Sequence, residues 1–230
     1  MKLLRFSRFY CICVLLLTGF WVGSLSGFAQ PPDGNPHTAM PSLYSAVLDY
    51  EAGWLAGTNP NGVWSYGWSS DLTTPITLFS NNWVYDSGVL EHVWDDPDNN
   101  YGGTPKVSRN SGGDYDNGNV SFNAGMLALH HGVGTTYAHL VFTAPSTGLY
   151  SIAATFYAQQ HNISADVHVL IKGKAYFSDT ITNLGESQSF TELVALRAGQ
   201  TVDFAVGPNG VPELHPGYTG LEVVVAEIHP

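Results

Sequence analysis

From Tyr137 onward the chain alternates apolar and polar residues in short runs broken by Gly, Pro and Asn, and no stretch keeps a helical period. Tyr137–Thr143 places Ala138, Leu140 and Phe142 on one face. Leu149–Tyr157 does the same with Tyr150, Ile152, Ala154 and Phe156, and Asp166–Ile171 with Val167, Val169 and Ile171. Thr201–Val206 groups Val202, Phe204 and Val206, and Leu221–Ile228 follows as a last strand. Turns are expected at Ala144–Gly148 and at Lys172-Gly173-Lys174. Short strands spaced about 8–12 residues apart, with turns between them, predict a sandwich of two sheets. The expected fold class is therefore all-β: a single jelly-roll-like β-sandwich domain.

The first half is less regular. Asn59-Pro-Asn-Gly62 is a turn, because Asn and Gly tolerate left-handed backbone and Pro fixes φ. Val63–Trp68 then alternates strictly, and Ile76–Ser80 and Val89–Trp94 are further strand candidates. Leu43–Trp54 is apolar without a clear period, and its type stays open. Asp95–Gly118 is crowded with Asp, Asn, Gly and Ser and is expected as a long surface excursion between strands.

Residues 1–29 have the three parts of a signal peptide: Lys2, Arg5 and Arg8, an apolar run from Phe9 to Val22, and small Gly27 and Ala29 before a cut ahead of Gln30. Residues 30–42 form a Pro-rich flexible leader, and 43–230 the β domain. The protein is expected to be secreted or extracellular. Both cysteines, Cys11 and Cys13, lie in the apolar run, so the exported chain relies on an ordinary core without disulfides. Removing three cations takes the formal net charge from −11 to −14. A surface this acidic repels phosphate backbones and anionic headgroups, which excludes nucleic acid and membrane as natural partners of the mature form. A neutral glycan, a cation or a surface protein fits better.

The segment Pro60-Asn-Gly-Val-Trp64-Ser-Tyr66-Gly67, together with Ala144-Pro-Ser-Thr-Gly-Leu-Tyr150, Asp166-Val-His-Val-Leu170 and Ala198-Gly-Gln-Thr-Val-Asp-Phe-Ala-Val-Gly207, resembles a β-sandwich domain of secreted bacterial proteins. That group is of the PEP-CTERM type and is similar to galactose-binding-like and carbohydrate-binding jelly rolls. The resemblance spans roughly Leu48 to Val224 and implies a fold and an extracellular location. It carries no catalytic residues.

Three sets of residues stand out for chemistry. Trp64, Tyr66 and Trp68 share one face of a strand. They form either a platform on which a sugar ring stacks or part of the core, because strand aromatics bury large areas. Asp95, Asp96 and Asp98 supply the oxygen ligands that calcium prefers, with Asp114 and Asp116 nearby. An EF-hand is excluded, since Tyr101 stands in place of the turn glycine and Val107 in place of the closing Glu. His130, His131, His139, His161 and His168 lack any zinc-binding spacing and are expected as satisfied or solvent-facing histidines.

These observations point to a non-catalytic extracellular module that binds carbohydrate, with calcium as a structural ion. One alternative is an adhesive surface protein without a small ligand. Another is a polysaccharide lyase or hydrolase, which needs converging carboxylates or a His–Tyr pair with shifted pKa values. No nucleophile elbow is present.

Overall fold

The computed structural model describes residues 41–96, 104–132, 134–211 and 217–229. The signal peptide and nearly all of the leader lie outside the described residues, as does Asp98. In chain order the elements are β1 (Ser42–Ser45), α1 (Ala46–Ala56), β2 (Trp64–Ser69), β3 (Thr77–Leu78), β4 (Asn81–Asp86), β5 (Leu90–Asp95), β6 (Lys106–Asn110), β7 (Tyr115–Asp116) and β8 (Ser121–Phe122). There follow β9 (Leu127–His130), β10 (Tyr137–Thr143), β11 (Gly148–Ala158), β12 (Ala165–Ile171), β13 (Lys174–Ile181), β14 (Ser187–Leu196), β15 (Thr201–Gly207) and β16 (Thr219–Ile228).

The strands form two facing antiparallel sheets. The first runs β14-β11-β16-β9-β6-β5-β4, with β1 paired to the far end of β16. The second runs β13-β12-β15-β10-β2-β3. The all-β sandwich expected from the alternation is the fold observed, because each alternating strand turns one side chain in two toward the opposite sheet. Register stacks the inner face in rows: Trp64 beside Phe142 and Val202, Tyr66 beside Leu140 and Phe204, Trp68 beside Ala138 and Val206. The inner face of β11 and β16 answers with Tyr150, Ile152, Phe156, Val223 and Val225, all buried. The β12–β13 hairpin turns on Lys172 and Gly173, with φ of 55° and 73°. Two successive left-handed residues match the twist of the flanking strands.

Two parts of the first half differ from the sequence reading. The segment of open type begins as β1 and becomes α1. Ser45 caps the helix by accepting a bond from the Leu48 amide, Asp49 lies in its first turn, and Gly57 ends it at φ 64°. α1 buries Tyr50, whose hydroxyl reaches the His92 and Val107 carbonyls at 2.9 and 2.8 Å. The excursion expected over Asp95–Gly118 is also corrected. Lys106–Asn110 within it is β6, a largely buried strand between β5 and β9. Its sequence, Lys-Val-Ser-Arg-Asn, has one apolar residue, so hydrophobic periodicity could not reveal it. Polar pairing across the sheet holds it instead. Among the described residues no helix is long and apolar enough to cross a membrane.

Candidate functional site

The inner face of the second sheet is filled by packing, so chemistry is left to its outer face. Alternation that sends Leu140, Phe204 and Val167 inward sends His139, Asp203, Asp166 and His168 outward. In the register His139 and His168 both sit opposite Ala205 from flanking strands. Strand spacing then puts them roughly 10 Å apart on one face. The sequence reading expected them as satisfied or solvent-facing histidines. Only register could show that they share a face, each with its own carboxylate and serine.

His139 is buried, and both ring nitrogens are engaged. Nδ1 lies 3.0 Å from each Asp203 oxygen, and Nε2 lies 2.7 Å from the Ser69 hydroxyl. Ser69 Oγ in turn lies 2.7 Å from the Asp71 carbonyl oxygen, to which it donates. Asp71 organises the β2–β3 loop: its carboxylate accepts from the Thr73 amide and hydroxyl at 2.7 and 2.6 Å, and from those of Thr74 at 2.9 and 2.7 Å. Those Thr73 and Thr74 bonds hold its carboxyl far below the usual carboxylate range. The Thr135 hydroxyl also donates to the Ser70 carbonyl at 2.7 Å.

Beside this network the β2–β3 loop and the sheet enclose a recess of about 410 Å³. Leu72, Thr73 and Ile76 form the loop wall, His139, Val141, Leu170 and Asp203 the floor, and Gly173 and Thr201 an edge. Ligand pockets typically range from about 300 to 1,000 Å³. Ser69 does not line this recess and is itself buried. The Ser69–His139–Asp203 series therefore has the connectivity of a hydrolytic triad without an accessible nucleophile.

The second histidine braces a neighbouring loop. His168 contacts Asp166 at 2.7 Å and the Ser178 hydroxyl at 2.8 Å. Tyr137 donates to Asp166 at 2.7 Å and the Asn209 amide does so at 2.6 Å. Burial opposes ionisation of Asp166, but bonds from His168, Tyr137 and Asn209 outweigh it and hold the carboxyl below its usual value. Burial and the Asp166 bond push the Tyr137 phenol up. The Tyr137 ring lies across Gly207, where any Cβ would collide with it.

The residues singled out from sequence are placed elsewhere. Trp64 and Tyr66 are 1% and 0% exposed, with faces spent on Phe142, Tyr50 and Trp94. Trp68 is half-buried, and its indole donates to Asp96 at 2.9 Å. The stacking platform is thus corrected: the three aromatics point between the sheets, where their apolar area is removed from water. Asp95 is buried and accepts from Asn81 and Trp83 at 2.7 and 2.8 Å. Asp95 and Asp96 thus accept from protein donors, and Asp98, the third residue of the calcium expectation, lies outside the described residues. Asp116 caps a local turn by accepting from the Gly118 amide, and Asp114 accepts from the Ala124 amide ten residues on. Among the described residues no group of three or more His, Cys, Asp or Glu side chains could hold a metal.

A second polar cluster lies on the first sheet. Lys106 Nζ is 2.9 Å from Glu91 and 2.9 Å from the Tyr218 hydroxyl, which donates to the other Glu91 oxygen at 2.9 Å. The ammonium also lies 4.7 Å from the Tyr218 ring centroid and 5.4 Å from that of Tyr85. The ring of His130 meets Tyr218 edge-on at 5.1 Å. Burial, then the neighbouring His131 and Lys106, push His130 down to about 3, and burial pushes Tyr218 up to about 12. A tyrosine shifted upward is a poor base, so this His–Tyr pair runs opposite to what lyase chemistry requires.

No protein-family model matches the chain, and no curated protein matches it in sequence. Among solved structures it is similar to a family 35 carbohydrate-binding module from Clostridium thermocellum, 16% identical, covering 49% of this chain and 84% of that one at a TM-score of 0.31. CBM35 from Paenibacillus barcinonensis is 14% identical over 63% of this chain and 97% of that one, also at 0.31. CBM51 from Clostridium perfringens GH95, solved in complex with methyl-galactose, is 12% identical over 52% of this chain and 86% of that one at 0.34. At such scores the likeness decides nothing about a ligand, and the fold rests on the strand pairing described above.

Proposed function

We propose that the protein is a non-catalytic binding module that takes a neutral sugar in the recess on the outer face of the second sheet. The observation that carries this reading is the recess itself. Asp203 and the hydroxyls of Thr73 and Thr201 offer acceptors and donors beside the apolar side chains of Leu72, Ile76, Val141 and Leu170. A sugar presents the same mixture, hydroxyls at its edge and C–H groups on its faces. Hydrolysis is disfavoured because Ser69, the serine that His139 faces, is buried and does not line the recess. Export through residues 1–29 agrees with a glycan met outside the cell. Glycan-array screening of the purified protein tests this. The expected result is a sugar signal that weakens at least tenfold in a folded Leu170→Lys variant, whose side chain fills the floor. No signal from the wild type, or an unchanged signal in the variant, sinks the proposal.

The adhesive reading has one observation in its favour. Leu43, Val224, Leu149 and Leu193 are exposed on the outer face of the first sheet. Their strands β1, β16, β11 and β14 are contiguous, with Ala226 and Ser151 between Leu43 and Leu193 in one row. Association that persists in the Leu170→Lys variant and is lost in Leu193→Lys would favour that reading.

A further inference from the structure

We propose that the rim where the β10–β11, β12–β13 and β14–β15 turns meet binds an oxyanion, a sulfate or carboxylate carried by a saccharide; the saccharide as carrier rests on the sugar reading above, whereas the anion site does not. Cations are scarce in this chain and unevenly placed. Of eight Lys and Arg residues, Lys2, Arg5 and Arg8 precede the β domain and five lie within it. Lys106 and Arg109 are paired with Glu91 and Glu51. The other three, Lys172, Lys174 and Arg197, have no ion pair among the described residues, and all sit in or beside turns at one end of the sandwich. Screening limits the reach of surface charges to about 10 Å, so the sign at this rim is set by these three cations and not by the net total.

Lys172 and Arg197 line a recess of about 600 Å³ together with Thr147, Gly148, Leu196 and Gln200. Its polar side chains offer hydrogens. Thr147 Oγ1 already accepts from the Ala198 amide at 3.1 Å, and Gln200 Oε1 from the Arg197 amide at 2.9 Å. The Thr147 hydroxyl hydrogen and the Gln200 amide hydrogens have no acceptor among the described residues. Lys and Arg carry donors only. No Asp or Glu lines the recess, since Glu227 approaches Gly148 but accepts from the Ser146 hydroxyl. Unclaimed donors on four side chains, two of them charged, complement a group made of acceptors, and an oxyanion is such a group. The cradle is held before a ligand arrives. The Ala144 amide donates to the Gln200 carbonyl at 2.9 Å, the Gly199 amide to the Ala144 carbonyl at 2.8 Å and the Lys172 amide to the Thr201 carbonyl at 3.0 Å. These bonds tie the three turns together and lower the ordering cost of binding. The sugar recess has Gly173 and Thr201 at its edge, the sequence neighbours of Lys172 and Gln200. The two recesses thus share a border, and a saccharide that crosses it brings a charged substituent to Lys172 and Arg197.

Nuclear magnetic resonance of the full chain with sodium sulfate, against sodium chloride at matched ionic strength, reads the site without a saccharide. Saturable shifts at the Gly173, Ala198 and Gln200 amides are expected with sulfate and not with chloride. Plain dextran, dextran sulfate and carboxymethyl-dextran then separate charge from carrier on one sugar backbone. A charged form is expected to bind about tenfold more tightly than plain dextran, the worth of one charge-assisted hydrogen bond. The tighter of the two tells whether sulfate or carboxylate is preferred. Lys172→Asn and Arg197→Gln each weaken that preference severalfold, and the double variant abolishes it. Both positions are exposed, and Asn tolerates the φ of 55° at residue 172, so the urea midpoint stays put. Lys174→Gln, beside the recess but not lining it, leaves the preference within about twofold. Rim amides that respond equally to chloride, or a preference that survives the double variant, overturn the site. So does a Lys174→Gln loss equal to that of Lys172→Asn, which marks a diffuse field instead of a recess. Sulfate held at the rim by a chain that binds none of the three dextrans supports the anion site and overturns the saccharide carrier. A charged dextran bound through Lys172 and Arg197 in a chain that gives no neutral-glycan signal supports this proposal and overturns the sugar recess.

Discussion

The two sheets each carry a buried polar cluster, and the clusters differ in what they border. On the first sheet, Lys106 donates to Glu91 and Tyr218, and Tyr218 donates to the remaining Glu91 oxygen. Each group faces a partner of complementary role, and the site is closed. On the second, Ser69 Oγ lies 2.7 Å from both the Asp71 carbonyl and His139 Nε2, and the network borders a recess. A closed network excludes a ligand, whereas one that borders a recess lies beside space a ligand can enter. The difference separates a structural brace from a candidate site.

The largest test of that contrast is removal of a charge from the closed cluster. Glu91→Ala leaves the Lys106 ammonium buried and unpaired, and is expected to cost about 3–5 kcal/mol in urea unfolding. The double change Glu91→Leu with Lys106→Met should recover most of it. A single-variant loss below about 1 kcal/mol would show that water reaches the pair, because exposed pairs are worth no more.

Next comes acid. His130 is held neutral in the folded chain, its value pushed from 6.5 to about 3, whereas the unfolded chain takes a proton below 6.5. The folded value is the lower one, so this contribution is fully present above 6.5 and is lost as pH falls toward 3. The loss amounts to a few kcal/mol at most, on the order set by about 1.4 kcal/mol per unit. Thermal midpoints that decline over this window in the wild type, and decline less in His130→Gln, are the expected pattern.

Smaller still is the open cluster. His139→Gln removes the contacts to Asp203 and Ser69, part of which the Gln amide can replace, and is expected to cost about 1–2 kcal/mol, less than Glu91→Ala. If it matches the Glu91→Ala loss, the contrast between closed and open networks fails. The smallest global effect is expected from Asp71→Ala. Its bonds are local to an exposed loop, so the unfolding midpoint stays put while proteolysis within Ser70–Ile76 accelerates. A lowered midpoint would tie the loop to the core.

The second half of the fold was legible because apolar residues repeat at the pleat period there: Val167, Val169 and Ile171 specify a strand and its inward face without help. The first half hid β6, whose burial depends on Lys106 finding Glu91 and Tyr218, partners 15 and 112 positions away. Trp64 and Tyr66 were visible as a stripe on one face, yet pattern cannot say whether that face looks at water or at another sheet. The histidines were visible only as residues, since a shared face across three strands is a property of register. Composition and alternation thus determined by themselves that this chain forms an all-β sandwich, because burial of alternate side chains is a local demand repeated along each strand. Where the recess lies, which histidine meets which carboxylate, and which aromatics are lost to the core were decided only in three dimensions, because pairing between distant strands brings those groups together.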